Sequence, residues 1–213
     1  MISKKLKASL KNKPLPPEHF GVNGVAVPGF GVAEDAVRTL LRYIGEDPTR
    51  DGLVDTPKRV LKALSEMTQG LREDPTKILE RQFDLPHDEL VLVKGVSFTS
   101  ICEHHLLPFS GTAAVAYIPG NNNKVVGLSK LGRLVLCFAR RPQIQERMTA
   151  QIADAIMEHL QPLGAACVVS AEHSCMSCRG VKLPGAAFVT SALRGVLRTD
   201  TAARAELMSL ISG

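Results

Sequence analysis

Residues 90–119 read LVLVKGVSFTSICEHHLLPFSGTAAVAYIP. Two runs within this stretch, Leu90 to Ser100 and Gly111 to Pro119, are rich in Val, Phe, Thr and Ala and predict strands. Between them lies the polar segment Cys102-Glu103-His104-His105. The Gly120-Asn121-Asn122-Asn123 cluster that follows is a turn signal, and Lys124 to Gly127 is expected to pair back onto the preceding strand. Further strands are expected over Ala166 to Ala171 and Ala186 to Leu197.

On either side the apolar period changes to that of helices. Ala33, Val37, Leu40, Leu41 and Ile44 form one stripe, which Gly45 and Pro48 end. Thr56-Pro57 opens a second helix with Val60, Leu61, Leu64 and Met67, and Gly70 stands where a C-cap belongs. Ser129 is expected to cap a helix carrying Leu131, Leu134, Val135 and Phe138, which Pro142 breaks. A longer helix runs from about Gln143 to Leu160 with Ile144, Met148, Ile152 and Ile156, and a last one from Asp200 to Ile211. Antiparallel strands around two consecutive helices argue an α+β fold rather than alternating α/β.

With 213 residues and 45% hydrophobic composition, the chain can bury the core of one large domain. Trp is absent and aromatic residues make up only 4%, so that core is aliphatic. The net charge of +5 is concentrated at the start: Lys4, Lys5, Lys7, Lys11 and Lys13 stand against Glu18 alone over residues 1 to 20. Residues 1–31, punctuated by Pro and Gly, read as an extended, solvated arm. No aromatics are interleaved with its lysines, so nucleic acid is not an expected partner. Met1 to Leu10 lacks the continuous apolar run of a secretory leader, and no stretch is apolar enough to span a bilayer. The expectation is a cytoplasmic protein in which the five cysteines serve thiolate or metal chemistry rather than a disulfide framework.

The chemistry concentrates in two segments, Cys102 to His105 and His173-Ser174-Cys175-Met176-Ser177-Cys178-Arg179. Thiolate and imidazole are the donors zinc prefers. Cys102 and His105, three apart, share a face if they lie on a helical turn. The candidates Cys102, His104, His105, His173, Cys175 and Cys178 outnumber what a closed site needs, and imidazoles left beside a metal suit proton transfer. The alternative is a closed structural zinc using Cys175 and Cys178 as a C-x2-C pair. Lys130 and Arg133 on the first turn of a helix make a phosphate site or simply a solvated basic face. Gln145 and Glu146 begin the next helix, where a carboxylate can accept two N–H groups from a guanine edge or merely favour the helix N-terminus. Cys137 and Cys167 sit in apolar runs and read as packing residues, and His19, His87 and His159 as surface or loop residues.

Over about residues 32 to 212 the chain resembles GTP cyclohydrolase I. The resemblance is carried by Thr56-Pro57-Lys58-Arg59, Cys102-Glu103-His104-His105, Val115-Ala116-Tyr117-Ile118-Pro119, Gly127-Leu128-Ser129-Lys130, Arg141-Pro142-Gln143-Ile144-Gln145-Glu146-Arg147, and His173-Ser174-Cys175-Met176 with Arg179-Gly180-Val181. It implies a tunnelling fold (T-fold) over 32–213, with N-terminal helices over 32–80, a core over 88–198 and a C-terminal helix over 199–212. It further implies a barrel closed by oligomerisation into a homodecamer of two pentamers, with sites at subunit boundaries. The implied zinc ligands are Cys102, His105 and Cys175, with His104 and His173 moving protons. Arg59, Ser129, Lys130, Arg133 and Arg179 would meet the triphosphate, and Gln145 and Glu146 the guanine. The implied reaction protonates N7 of GTP, hydrolyses the imidazole ring and releases C8 as formate. An Amadori-type rearrangement then closes 7,8-dihydroneopterin triphosphate, which feeds tetrahydrofolate, other pterins or deazapurines. Cys178 departs from the family pattern, and the segment Gly185-Ala186-Ala187-Phe188 carries fewer hydroxyls than many relatives have there.

Overall fold

The computed structural model describes residues 28–122 and 124–213, so most of the expected basic arm and His19 lie outside the described residues. The chain divides into two compact units, one ending at Glu66 and one running from Met67 to Gly213. The first holds helix α1 (Phe30–Tyr43) and nearly all of α2 (Thr56–Met67). The stripe expected on α1 forms, yet Val32, Leu40, Tyr43 and the following Ile44 stay exposed. Glu34, its one buried residue, pairs with Arg38 at 2.9 Å.

The second unit is built on a five-stranded sheet of β2 (Val91–Cys102), β3 (Pro108–Ile118), β5 (Pro142–Gln143), β6 (Gly164–His173) and β7 (Ala187–Gly195). The strands lie in the order β5-β2-β3-β6-β7. The four long strands are antiparallel to their neighbours, while short β5 joins β2 in parallel at Ile101 and Cys102. Helices α4 (Leu128–Ala139) and α5 (Gln145–Leu160) cover one face. Leu131, Leu134, Met148, Ile152 and Ile156 there meet Val115, Tyr117, Cys167 and Val169 in one buried cluster. On the opposite face Ala116 and Ala166 pack with Leu197 of α7 (Val196–Thr199) and Leu207 of α8 (Thr201–Ser212). β3 is therefore buried on both faces, which explains its run of small residues, Ala113 to Ala116 interrupted by Val115. These elements make an α+β architecture, as the pattern implies.

Some expectations fail locally for identifiable reasons. Lys124 to Val126 forms β4 but pairs with β1 (Gln82–Asp84), not with β3. Both edges of β3 are already occupied up to Tyr117, which faces Val91 on one side and Ala165 on the other. Tyr117 instead reaches β4 through its hydroxyl, which accepts from the Val126 N–H at 3.0 Å. Ser129 does not cap α4: the helix begins at Leu128 after Gly127, with no side-chain cap. Gly70 lies inside a short 3₁₀ turn (Gln69–Arg72), where any Cβ would collide with the Cys137 carbonyl. The long helix starts at Gln145 because Pro142 and Gln143 are extended against β2. His159 is not a loop residue but lies on the last turn of α5, its ring 3.4 Å from the Thr76 hydroxyl. α3 (Pro75–Leu79) was unexpected, although Asp74-Pro75 is a start signal and the Asp74 carboxylate accepts from Thr76 N–H at 2.9 Å.

Among the described residues, the outer side of β2 from Val91 to Ser100 and that of β7 have no strand partner. No described helix is long and apolar enough to cross a membrane.

Gly111 sets the spacing of β3 and β6. A Cβ there would run into the Ser170 carbonyl and stand 2.6 Å from Ala171 Cα. Gly111→Ala is expected to lower stability by about 3 kcal/mol, read as a fall in thermal midpoint. The thiols offer an independent check. Burial pushes Cys167 up to about 12, and burial also raises Cys137. In the folded protein, iodoacetamide mapping is expected to modify exposed Cys178 and to leave Cys137 and Cys167 untouched until denaturant is added.

Candidate metal centre

The antiparallel order brings the C-terminal end of β2, the start of β3 and the C-terminal end of β6 to one end of the sheet. Cys102 is the last residue of β2, and a tight turn follows it. The turn is closed by the Leu106 N–H donating to the Cys102 carbonyl and the Cys102 N–H donating to Leu107, both at 2.8 Å. Leu106 takes a left-handed conformation, φ 55°, to complete it. This strand-end turn, and not a helix, puts Cys102 and His105 together. β6 ends at His173, which faces Phe109 of β3, and the short helix α6 (Ser174–Ser177) then places Cys175 beside Cys102.

The Sγ atoms of Cys102 and Cys175 stand 3.9 Å apart, and Cys102 Sγ lies 3.9 Å from His105 Nδ1. One donor atom from each of Cys102, His105 and Cys175 falls within 4.8 Å of the others. A tetrahedral zinc with bonds of about 2.3 Å to sulfur and 2.0 Å to nitrogen needs edges of roughly 3.6–3.8 Å, so this donor set fits the ion. Both cysteines are buried while His105 is exposed, which leaves one side of the group open. Burial first, and then the neighbouring Cys102 thiol, push the Cys175 thiol up. A cation bound between the two sulfurs would have to displace their protons, so metal binding there is coupled to proton release. Cys178 is exposed and stands outside the group.

The surrounding side chains are tied to the same end. Arg179 lies 3.1 Å from His105 Nε2. The His104 ring stands edge-on to His105, with centroids 6.3 Å apart. His173 stacks on Phe109 at 4.3 Å and meets the edge of Phe188 at 5.5 Å; burial pulls its pKa down, partly offset by Glu146. β5 then delivers α5 to the site: the Glu103 N–H donates to the Gln143 carbonyl at 3.1 Å, and the Glu103 carboxylate pairs with Arg147. Arg147 also donates to Gln143 Oε1 at 3.2 Å and holds the Glu103 carboxyl below its usual range. Glu103 and Arg147 escaped the sequence reading, although each sits inside a quoted motif.

The remaining candidates divide between the first turn of α5 beside His173 and positions farther away. Gln145 is 2% exposed and its amide is engaged within the chain. Glu146 is exposed and opens on a cavity of about 650 Å³ shared with Thr190, Arg194, Arg198 and Arg204. Ser129, Lys130 and Arg133 are on the first turns of α4, whose far end is the one anchored beside Cys102 through the Gln143 amide on the Phe138 carbonyl. The ten residue steps of helix from Ser129 to Ala139 span about 15 Å. Arg59 belongs to the first compact unit and pairs with Asp55 at 3.4 Å.

The family model for GTP cyclohydrolase I matches residues 33–212. The chain belongs to the GTP cyclohydrolase I family. A GTP cyclohydrolase 1 from Geobacillus sp. (strain WCH70) is 60% identical over 180 residues, covering 84% of this chain and 95% of that protein. Proteins of the same name from Geobacillus kaustophilus and Mycobacterium bovis are 59% and 56% identical, covering 85% and 84% of this chain and 96% and 89% of their own lengths. The match includes the Cys/His/Cys group and every candidate residue from Arg59 to Arg179, and reaches into both compact units.

Metal analysis separates an open three-donor site from a closed C-x2-C knot. Cys178→Ser is expected to retain one zinc per chain after gel filtration, and Cys175→Ser to lose it. Loss of zinc from Cys178→Ser would make that residue a fourth ligand.

Proposed function

We propose that this chain hydrolyses GTP to 7,8-dihydroneopterin triphosphate and formate, with zinc held by Cys102, His105 and Cys175. The observation that carries the reading is a Cys/His/Cys donor group of zinc dimensions, open on one side, in a chain of this family. Zinc bound there supplies Lewis acidity that lets water ionise near neutral pH. His104 on the exposed turn and His173 on the β6 end flank the donors, so one imidazole can give a proton to N7 while another takes one. The Glu146 carboxylate, exposed beside this end, accepts from the guanine edge. Ser129, Lys130, Arg133, Arg179 and Arg59 hold the triphosphate, and positioning of this kind can supply roughly 7–11 kcal/mol of a barrier.

On α4, Lys130 and Arg133 lie about 12 Å and about 7.5 Å along the helix axis from Phe138, the residue anchored beside Cys102. Among the described residues, the unpartnered edges of β2 and β7 and the exposed apolar side chains of α1 support assembly with further copies, at whose boundaries sites would be shared. We therefore assign residues 32–213 to one T-fold domain whose barrel closes by oligomerisation, as a homodecamer of two pentamers. Five free cysteines suit a cytoplasmic location. The product would enter tetrahydrofolate, other pterin or deazapurine synthesis.

The direct test is incubation with GTP and zinc, scoring formate and the fluorescent oxidised pterin; absence of both overturns the proposal. His104→Ala is expected to keep zinc and bind GTP while losing most turnover. Sharing of sites predicts complementation. Cys175→Ser and Lys130→Glu are each expected to be inactive alone, and chains mixed in denaturant and reassembled to recover part of the activity. No recovery in correctly assembled mixtures would return the whole site to one chain.

A further inference from the structure

Gln145 opens α5 with its side chain buried under the end of the sheet. Its amide nitrogen lies 3.2 Å from the Val169 carbonyl, 2.9 Å from the Phe188 carbonyl and 3.1 Å from Thr190 Oγ1. Carbonyl oxygens only accept, so this end of the amide must be the NH2. The hydroxyls agree. Thr149 Oγ1 donates to the main-chain carbonyl of Gln145 at 2.7 Å, which uses its single proton. The 2.7 Å contact between the two threonine hydroxyls is then Thr190 donating to Thr149, and Thr190 has only lone pairs to offer Gln145.

The orientation of the amide decides the state of a neighbour. Gln145 Oε1 is 2.8 Å from His173 Nε2. Oε1 can only accept, so Nε2 carries the hydrogen. The ring cannot turn away easily, because it is stacked on Phe109 with an interplanar angle of 4° and closed at one side by Phe188. In the neutral ring the lone pair is then on Nδ1.

We infer that Gln145 is a positioning residue for His173: it fixes the ring with hydrogen on Nε2 and the lone pair on Nδ1, and does not itself read the guanine. The inference rests on the proposed role of His173 in GTP hydrolysis. Gln145 has no amide proton left for a purine, whereas Glu146, the next residue, points into open space.

The test is kinetic and spectroscopic, on the zinc-loaded assembly. Gln145→Met keeps the length of the side chain and removes the acceptor. Its kcat is expected to fall about 10–100-fold, the range for loss of a supporting hydrogen bond, with KM for GTP unchanged. The Gln145→Met/His173→Ala double variant is expected to be no slower than His173→Ala. A rise in KM of about tenfold or more with kcat kept, or losses that multiply in the double variant, would overturn the inference. Should the methionine variant fail to fold, selective 15N-histidine NMR of the wild type decides instead, with His173 assigned by its loss in His173→Ala. Hydrogen on Nε2 is expected, and hydrogen on Nδ1 overturns it. Full turnover in His173→Ala would sink the hydrolytic role of His173, while the tautomer measurement would still judge the contact with Gln145.

Discussion

The antiparallel register of β3 against β6 is the constraint on which the site depends. Setting Phe109 opposite His173 puts the end of β6 level with the start of β3, and therefore with the Cys102 turn that ends β2. Cysteines far apart in the chain then stand 3.9 Å apart without any covalent link. A slip of one residue would turn His173 to the other face and draw Cys175 away from Cys102. Gly111 protects that register, because only a residue without Cβ allows the Ser170 carbonyl to come so close.

A second coupling runs sideways. Parallel pairing of Pro142 and Gln143 with Ile101 and Cys102 delivers the first turn of α5 to the end of the sheet that bears the Cys/His/Cys group. Glu103 and Arg147 then tie the turn bearing His104 and His105 to the helix bearing Gln145 and Glu146. The donor group and the first turn of α5 are thus one connected structure, and a shift of either is felt by the other.

The donor residues are legible in the sequence because metal chemistry admits few side-chain types, and Cys102, His105 and Cys175 are among the few available. Their three-residue spacing works for a reason other than the expected one, a strand-end turn with Leu106 in the left-handed region. The helices are legible where apolar period and breakers agree, as at Asp200, whose carboxylate caps α8. Partners across space are not legible. Nothing local in Lys124 to Val126 reveals that both edges of β3 are taken, and nothing local in Gln145 reveals that its amide turns inward to β6 and β7. The cations of α4 read correctly as a basic first turn, but their distance from Cys102 emerges only when the helix has a direction.

The run of alanines through β3 and β6 has its own consequence. Ala113, Ala114, Ala116, Ala165, Ala166 and Ala171 are all at most 8% exposed. Such a centre has almost nothing left to trim, while each added methyl must displace a close neighbour. Drift at these positions is therefore confined to a single size class. Room for changes that raise thermal tolerance is therefore left mainly in the helices and at the periphery of this chain.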